Sequence, residues 1–211
     1  MKKGEAIKLK EILSLVDGCT VSEQVFEKNS EDIVAFSLSK DTDISPETYE
    51  NYKWIYCING SLDIHNLDKT ISELKTGELI RLSPQTFGVK AIKDSSYIEL
   101  TTPVDSKFEC DKPFSLINLL PYGESKIINK DLIRSEKMKY VLMSFDEGTG
   151  LTPHSAPKDV LLTALEGEAK ISYDGHSYSL KEGESFIFEA GHTHAVHATR
   201  QFKMSLLMNL G

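Results

Sequence analysis

Apolar residues along this chain gather in short runs separated by polar turns, with little of the 3.6-residue rhythm of amphipathic helices. WIYCI, IRL and YIEL stand in the first half; YVLMSF, VLLTAL, KISY, SFIF and KMSLLM stand in the second. These runs are rich in β-branched and aromatic side chains, which suit a pleated, half-buried surface. Turn-forming residues separate them: Asn59-Gly60, Thr76-Gly77, Glu166-Gly167, Asp174-Gly175, Glu182-Gly183 and Gly191. Asp174-Gly175, between KISY and HSYSL, predicts a tight hairpin. Many short strands at about 8–12-residue spacing predict an antiparallel sandwich or small barrel, so the expected fold class is all-β. Helical periodicity is confined to the N-terminus (Ile7, Leu9, Ile12, Leu13, Val16) and to Pro121–Leu132.

The pattern occurs twice. Phe36–Ile64 (FSLSKDTDISPETYENYKWIYCINGSLDI) lies without a gap over Met143–Ile171 (MSFDEGTGLTPHSAPKDVLLTALEGEAKI). Ser37 meets Ser144, Ile44 meets Leu151, Pro46 meets Pro153 and Gly60 meets Gly167. After one single-residue deletion, LKTGELIRL from Leu74 lies over LKEGESFIF from Leu180, and the apolar positions keep step to Leu100 over Leu206. A period this long exceeds any solenoid unit, so each copy is expected to be a whole domain. Pro113, Pro121 and Gly123 interrupt the pattern between Cys110 and Ser125. The expected domains are residues 1–112 and 113–211.

Composition narrows the function classes. The 211 residues are 40% hydrophobic and 27% charged, enough for real cores and unlike a disordered chain. A formal net charge of -8 argues against nucleic acid as a partner, since phosphate neutralisation needs a basic face. No apolar run approaches the roughly 20 residues needed to span a bilayer, so no membrane role is expected. The N-terminal segment carries Glu5 and Glu11 and lacks the long apolar stretch of a secretion signal. Cys19, Cys57 and Cys110 are odd in number and scattered, which fits a reducing, cytoplasmic location.

Candidate chemistry is concentrated in the second copy, which holds five of the six histidines: His154, His176, His192, His194 and His197, with His65 alone in the first. Three lie in Gly191-His-Thr-His-Ala-Val-His197. Neutral imidazole is the commonest protein ligand for transition metals, and a site needs about three converging donors. In a regular strand His192 and His194 share a face and His197 takes the other.

On these residues the second copy resembles the cupin family of small double-stranded β-helix (jelly-roll) barrels. The first cupin motif, with its His-x-His, Glu and Gly, corresponds to Gly148 through Gly167, where His154, Ala156 and Val160 stand at the ligand positions. The second motif corresponds to Gly183 through Ala198, with His194 at its histidine. Through the internal repeat, the whole chain resembles a protein of two tandem cupin barrels with few short helices, the first degenerate. The resemblance implies a divalent transition metal (Zn, Ni, Fe, Mn or Cu) in the second barrel, held by His154 and His194 with His192 as a third ligand. The second His and the Glu of the family are replaced by Ala156 and Val160. In the first copy the corresponding residues are read as Glu47, Tyr49, Lys53 and Gly88, a set that implies no metal in the usual place.

Strand parity from His154 gives a small, mostly apolar pocket with Thr152, Ala156, Val160 and Leu162, joined by Phe186 and Phe188 from the strand before Gly191. Apolar walls with a few orienting polar groups make a small-molecule site, and the same residues also serve simply to fill a barrel. The expected function is cupin-type small-molecule binding. The alternative is a metal-dependent cupin enzyme of isomerase or dioxygenase type acting on a small metabolite; a purely structural role explains the histidines least well. Single-barrel cupins commonly pair, so the resemblance also implies an intrachain pseudo-dimer of barrels, with homodimer formation left open.

Overall fold

The computed structural model describes residues 4–26 and 32–211; the first three residues of the N-terminal segment, residues 27–31 and the side chain of Ile12 lie outside the described residues. In chain order, β1 (Ala6–Ile7) and a single helical turn, α1 (Leu9–Ile12), precede β2 (Thr20–Gln24), β3 (Ile33–Leu38), β4 (Asp43–Thr48), β5 (Tyr52–Asn59) and β6 (Ser61–His65). Next come β7 (Thr70–Lys75), β8 (Glu78–Leu82), β9 (Thr86–Ala91), β10 (Ser95–Thr102) and β11 (Phe114–Ser115). A 3-10 turn at Leu116–Asn118 leads into β12 (Ile127–Arg134), β13 (Met138–Phe145), β14 (Gly150–Ser155), β15 (Val160–Glu166) and β16 (Glu168–Tyr173). The chain ends through β17 (His176–Lys181), β18 (Ser185–Phe188), β19 (Thr193–Ala198) and β20 (Phe202–Asn209).

The fold is all-β, with two barrels of one topology. One unit comprises residues 10–115, and the other residues 116–211 together with residues 1–9. The division thus falls a few residues beyond the position expected from sequence, and the chain start belongs with the second unit. In the first unit a sheet ordered β11-β8-β5-β10-β3-β2 accompanies one ordered β4-β9-β6-β7. In the second, β1-β18-β15-β20-β13-β12 accompanies β14-β19-β16-β17. Strand for strand the order repeats, which is the structural form of the duplication. The edge strands differ in origin: β1 pairs with β18 (Ala6↔Phe186, Ile7↔Ser185), and β11 pairs with β8 (Phe114↔Leu79).

Alternating side chains fill each barrel. Leu38, Ile55, Leu62, Ile64, Ile80, Phe87, Val89 and Tyr97 form the core of the first. Val141, Phe145, Val160, Leu162, Ile171, Phe186, Phe188, Phe202 and Met204 do so in the second. Burial of apolar surface at about 25 cal/mol per Å² makes these clusters the main stabilising term. Glycine at the matched positions 60 and 167 has a steric cause: φ is +94° and +81°, and a Cβ there would lie 2.5 Å from the Asp94 carbonyl oxygen and 1.9 Å from that of Gln201. The predicted hairpin at Asp174-Gly175 joins β16 to β17, with φ of 46° and 80° at its two turn residues as a type I′ turn requires.

Helix over Pro121–Leu132 is not formed. Ile127–Arg134 is instead strand β12, laddered antiparallel on β13 from Ile127↔Phe145 to Arg134↔Lys139. The spacing of Ile127, Ile128, Leu132 and Ile133 suits a helix face, but pairing on β13 satisfies the backbone and buries Leu132 and Ile133.

Candidate functional site: a histidine pair over an apolar cavity

Strands β14 and β19 bring the two distant histidines together. Their ladder runs Gly150↔His197 and Leu151↔Val196, then shifts register before His154↔His194 and Ser155↔Thr193. The irregularity falls at Thr152-Pro153, where proline has no N–H to offer the ladder. Leu151 and His154, three residues apart, therefore reach the same cavity. Parity counted back from His154 fails here: Thr152 lies in the bulge and is exposed, and its carbonyl accepts a hydrogen bond from His154 Nδ1 at 2.8 Å.

The cavity has a volume of about 220 Å³. Val160, Phe188, Val196, Leu151, Met204, Leu206 and Met208 wall it, and His154, His194, Ser155, Ala156 and Pro157 complete the lining. Ala156, Val160 and Phe188 were expected from sequence. Leu162 and Phe186 are fully buried in the same barrel but do not belong to the lining. Sequence reading missed the wall from β20, although Met204, Leu206 and Met208 alternate with strand period, and Val196 follows His194 by the same period.

His194 is 5% exposed and lies flat on Phe188, ring centroids 4.0 Å apart and planes within 8°. The His154 ring is 4.5 Å from it, centroid to centroid, inclined at 57°, and is exposed to solvent. His194 Nδ1 donates to the His192 carbonyl at 3.1 Å. A carbonyl oxygen only accepts, so in both rings Nδ1 carries the proton and a neutral ring keeps its lone pair at Nε2. Burial pushes the His194 pKa below its ordinary value; the bond to the His192 carbonyl opposes this and neighbouring His154 adds to it. The buried ring is therefore held neutral.

His192 takes no part in the lining. Gly191, at φ +81°, turns the chain before β19 begins, so strand parity does not extend to residue 192. Its ring is exposed, is hydrogen-bonded through Nδ1 to the Asp174 carboxylate, and lies over Tyr173 at 5.7 Å. That bond raises its pKa, against a smaller opposing effect of burial. His176 and His197 are exposed as well.

The donor set does not match a family-type metal centre. Ala156 and Val160 line the cavity at two of the four ligand positions and bring only carbon. Among the described residues no group of three His, Cys, Asp or Glu is arranged to hold an ion. Two imidazoles remain.

The first barrel is built differently at the same positions. Glu47 stands opposite Phe87 as His154 stands opposite His194, so Phe87, and not Gly88, is the counterpart of His194. The single-residue offset holds at β8, where Ile55↔Ile80 matches Leu162↔Phe186, but is made up before β9, where Ile64↔Val89 matches Ile171↔Val196. Lys53 faces Thr101 across the ladder as Val160 faces Met208, and Glu99 faces Val34 as Leu206 faces Val141. Lys53 Nζ bonds Glu99 Oε1 at 2.6 Å and Thr101 Oγ1 at 2.9 Å, and lies 4.6 Å from the Tyr49 ring centre. Tyr49 packs on Phe87 and Phe36 on Tyr97, with centroids 4.6 and 4.9 Å apart. Bulky rings and an ion pair stand where the second barrel has small and aliphatic residues.

Comparison with known proteins agrees with this architecture. Residues 141–209 match the family model described as a cupin domain. A solved cupin 2 conserved barrel domain protein from Leptotrichia buccalis superposes with a TM-score of 0.84 at 28% identity, covering 99% of this chain and 98% of that one. Protein Ylba from E. coli gives 0.62 at 16% identity over 99% and 92%, and oxalate decarboxylase from Bacillus subtilis 0.55 at 12% over 99% and 78%; both are likenesses of fold. No curated protein is similar at a significant level. The second barrel carries the match to the cupin domain, and the whole chain is similar in fold to the cupin 2 conserved barrel domain protein from Leptotrichia buccalis. Among the described residues no helix is long and apolar enough to cross a membrane.

Proposed function

We propose that the protein is a small-molecule-binding cupin whose ligand occupies the second barrel, in the cavity beneath His154 and His194. The observation that carries this reading is the bulged pairing of β14 with β19, which sets two imidazoles at an otherwise apolar cavity of about 220 Å³. An apolar cavity of about 150 Å³ accepts benzene, so this one suits a molecule of one ring with a small substituent. The walls supply the apolar contact and the imidazoles the orientation. The three free cysteines, Cys19, Cys57 and Cys110, suit a reducing cytoplasm. Filling the cavity tests the reading: Ala156→Trp is expected to leave the fold intact by circular dichroism and to abolish the thermal stabilisation given by one-ring compounds. Equal stabilisation in wild type and variant would refute it.

A second reading, a weakly held divalent metal serving an enzyme, is favoured by one feature. Each Nδ1 is tied to a backbone carbonyl, the arrangement that orients metal-binding imidazoles and frees Nε2. A metal there would act as a Lewis acid on a bound oxygen, with His154 and His194 holding it. Two ligands make a weak site, so metal content after dialysis against excess Zn²⁺ should stay well below one ion per chain.

A further inference from the structure

Resting on the reading of the cavity as a ligand site, we infer that the ligand is a neutral one-ring compound carrying a hydrogen-bond donor, a hydroxyl or amino group, and that acidic compounds are refused. The inference follows from which atoms the polar edge of the cavity has left to offer. His154 Nδ1 is used up on the Thr152 carbonyl and His194 Nδ1 on the His192 carbonyl, at 2.8 and 3.1 Å. No protein group among the described residues engages either Nε2. The remaining side chains of the lining are apolar, with the Met204 and Met208 thioethers as weak acceptors, apart from Ser155, whose hydroxyl can give or take. The edge is therefore built to accept: two lone pairs on rings 4.5 Å apart, with no Arg or Lys among the lining residues. A hydroxyl or amino group donates into them. A carboxylate would set its own lone pairs against theirs in a low-dielectric cavity and leave its charge unpaired.

The bond of His194 Nδ1 to the His192 carbonyl fixes this polarity, since a half-turn of the ring would give it up. The stack on Phe188, with centroids 4.0 Å apart and planes within 8°, fixes the plane in which the ring lies. His154, on the exposed side, is held in the same sense by its own bond to the Thr152 carbonyl.

Methyl-detected NMR titrations of the full chain at pH 8, after removal of metal by chelation, read the outcome at Val160, Met204 and Met208. Phenol is expected to bind about three- to tenfold more tightly than toluene, the worth of one net hydrogen bond, and benzoate more weakly than toluene. In a His154→Ala/His194→Phe variant, which keeps a flat ring on Phe188, phenol should fall to the affinity of toluene. His154→Ala alone, at an exposed position, should narrow the ratio while the barrel stays folded. Benzoate binding as tightly as phenol, or a phenol preference that survives these substitutions, overturns donor selection. If toluene still binds and Ala156→Trp blocks it, the cavity reading stands when donor selection fails. Absence of binding by all three compounds overturns both. Zn²⁺ binding at micromolar concentration that displaces phenol and is lost in His154→Ala assigns the lone pairs to a metal and overturns the inference.

Discussion

His194 shows how one side chain is made neutral by its surroundings. Burial against Phe188 disfavours the imidazolium, the bond to the His192 carbonyl opposes that, and the neighbouring His154 reinforces it. The folded-state pKa lies below the unfolded value of about 6.5, so the folded chain binds fewer protons as pH falls through that window. Stability from this group is complete above the unfolded pKa and is lost as pH drops toward the folded one. His192 and His65 act oppositely, since their pKa values are raised, with Asp174 and Asp43 as their respective carboxylate partners. Their contribution is present below about 6.5 and fades as pH rises through their folded values. The effect of His194 is thus read by difference: measured from pH 7.5 to 5, the denaturation midpoint of wild type should fall relative to that of His194→Phe as pH falls. Parallel curves would show that the ring bears no burial penalty.

At the scale of elements, parity is reliable only as far as the ladder is regular. The alternation that marks β16 and β20 as strands is plain in KISY and KMSLLM, and the Asp174-Gly175 turn fixes one hairpin by backbone preference alone. The bulge at Thr152-Pro153 and the turn at Gly191 each break the count, which is why Thr152 and His192 fall outside the cavity while Leu151 enters it. Pairings between distant segments carry no local mark. Strand β1 is an example: two residues and a bond from Gly4 N to the Ile187 carbonyl at 3.2 Å cover the free edge of β18. Removing residues 1–8 should cost about 1–2 kcal/mol for the few hydrogen bonds lost. It should also promote concentration-dependent association through the uncovered edge, seen by size-exclusion chromatography. An unchanged melting curve and a single monomer peak would count against a role for β1.

The whole molecule contains one fold with two interiors. In the first barrel Lys53 and Glu99 are each 12% exposed and bonded to one another, so neither charge has bulk water to fall back on. Lys53→Met strands the Glu99 carboxylate and is expected to cost about 3 kcal/mol, whereas Lys53→Met combined with Glu99→Leu should recover most of it. Urea denaturation of the three chains, followed through Trp54 fluorescence, measures this; equal losses in the single and double variants would mean that the pair is not coupled.

The strand content, the duplication, the turn glycines and the clustering of histidines in one half are properties of local chemistry and spacing, and they can be read from the chain directly. Which residues share the cavity depends on register between strands tens of residues apart, on a proline that cannot join its ladder, and on a carboxylate that takes His192 aside. Those are outcomes of packing, where the lowest free energy is set by many distant contacts at once, and only the folded chain reveals them.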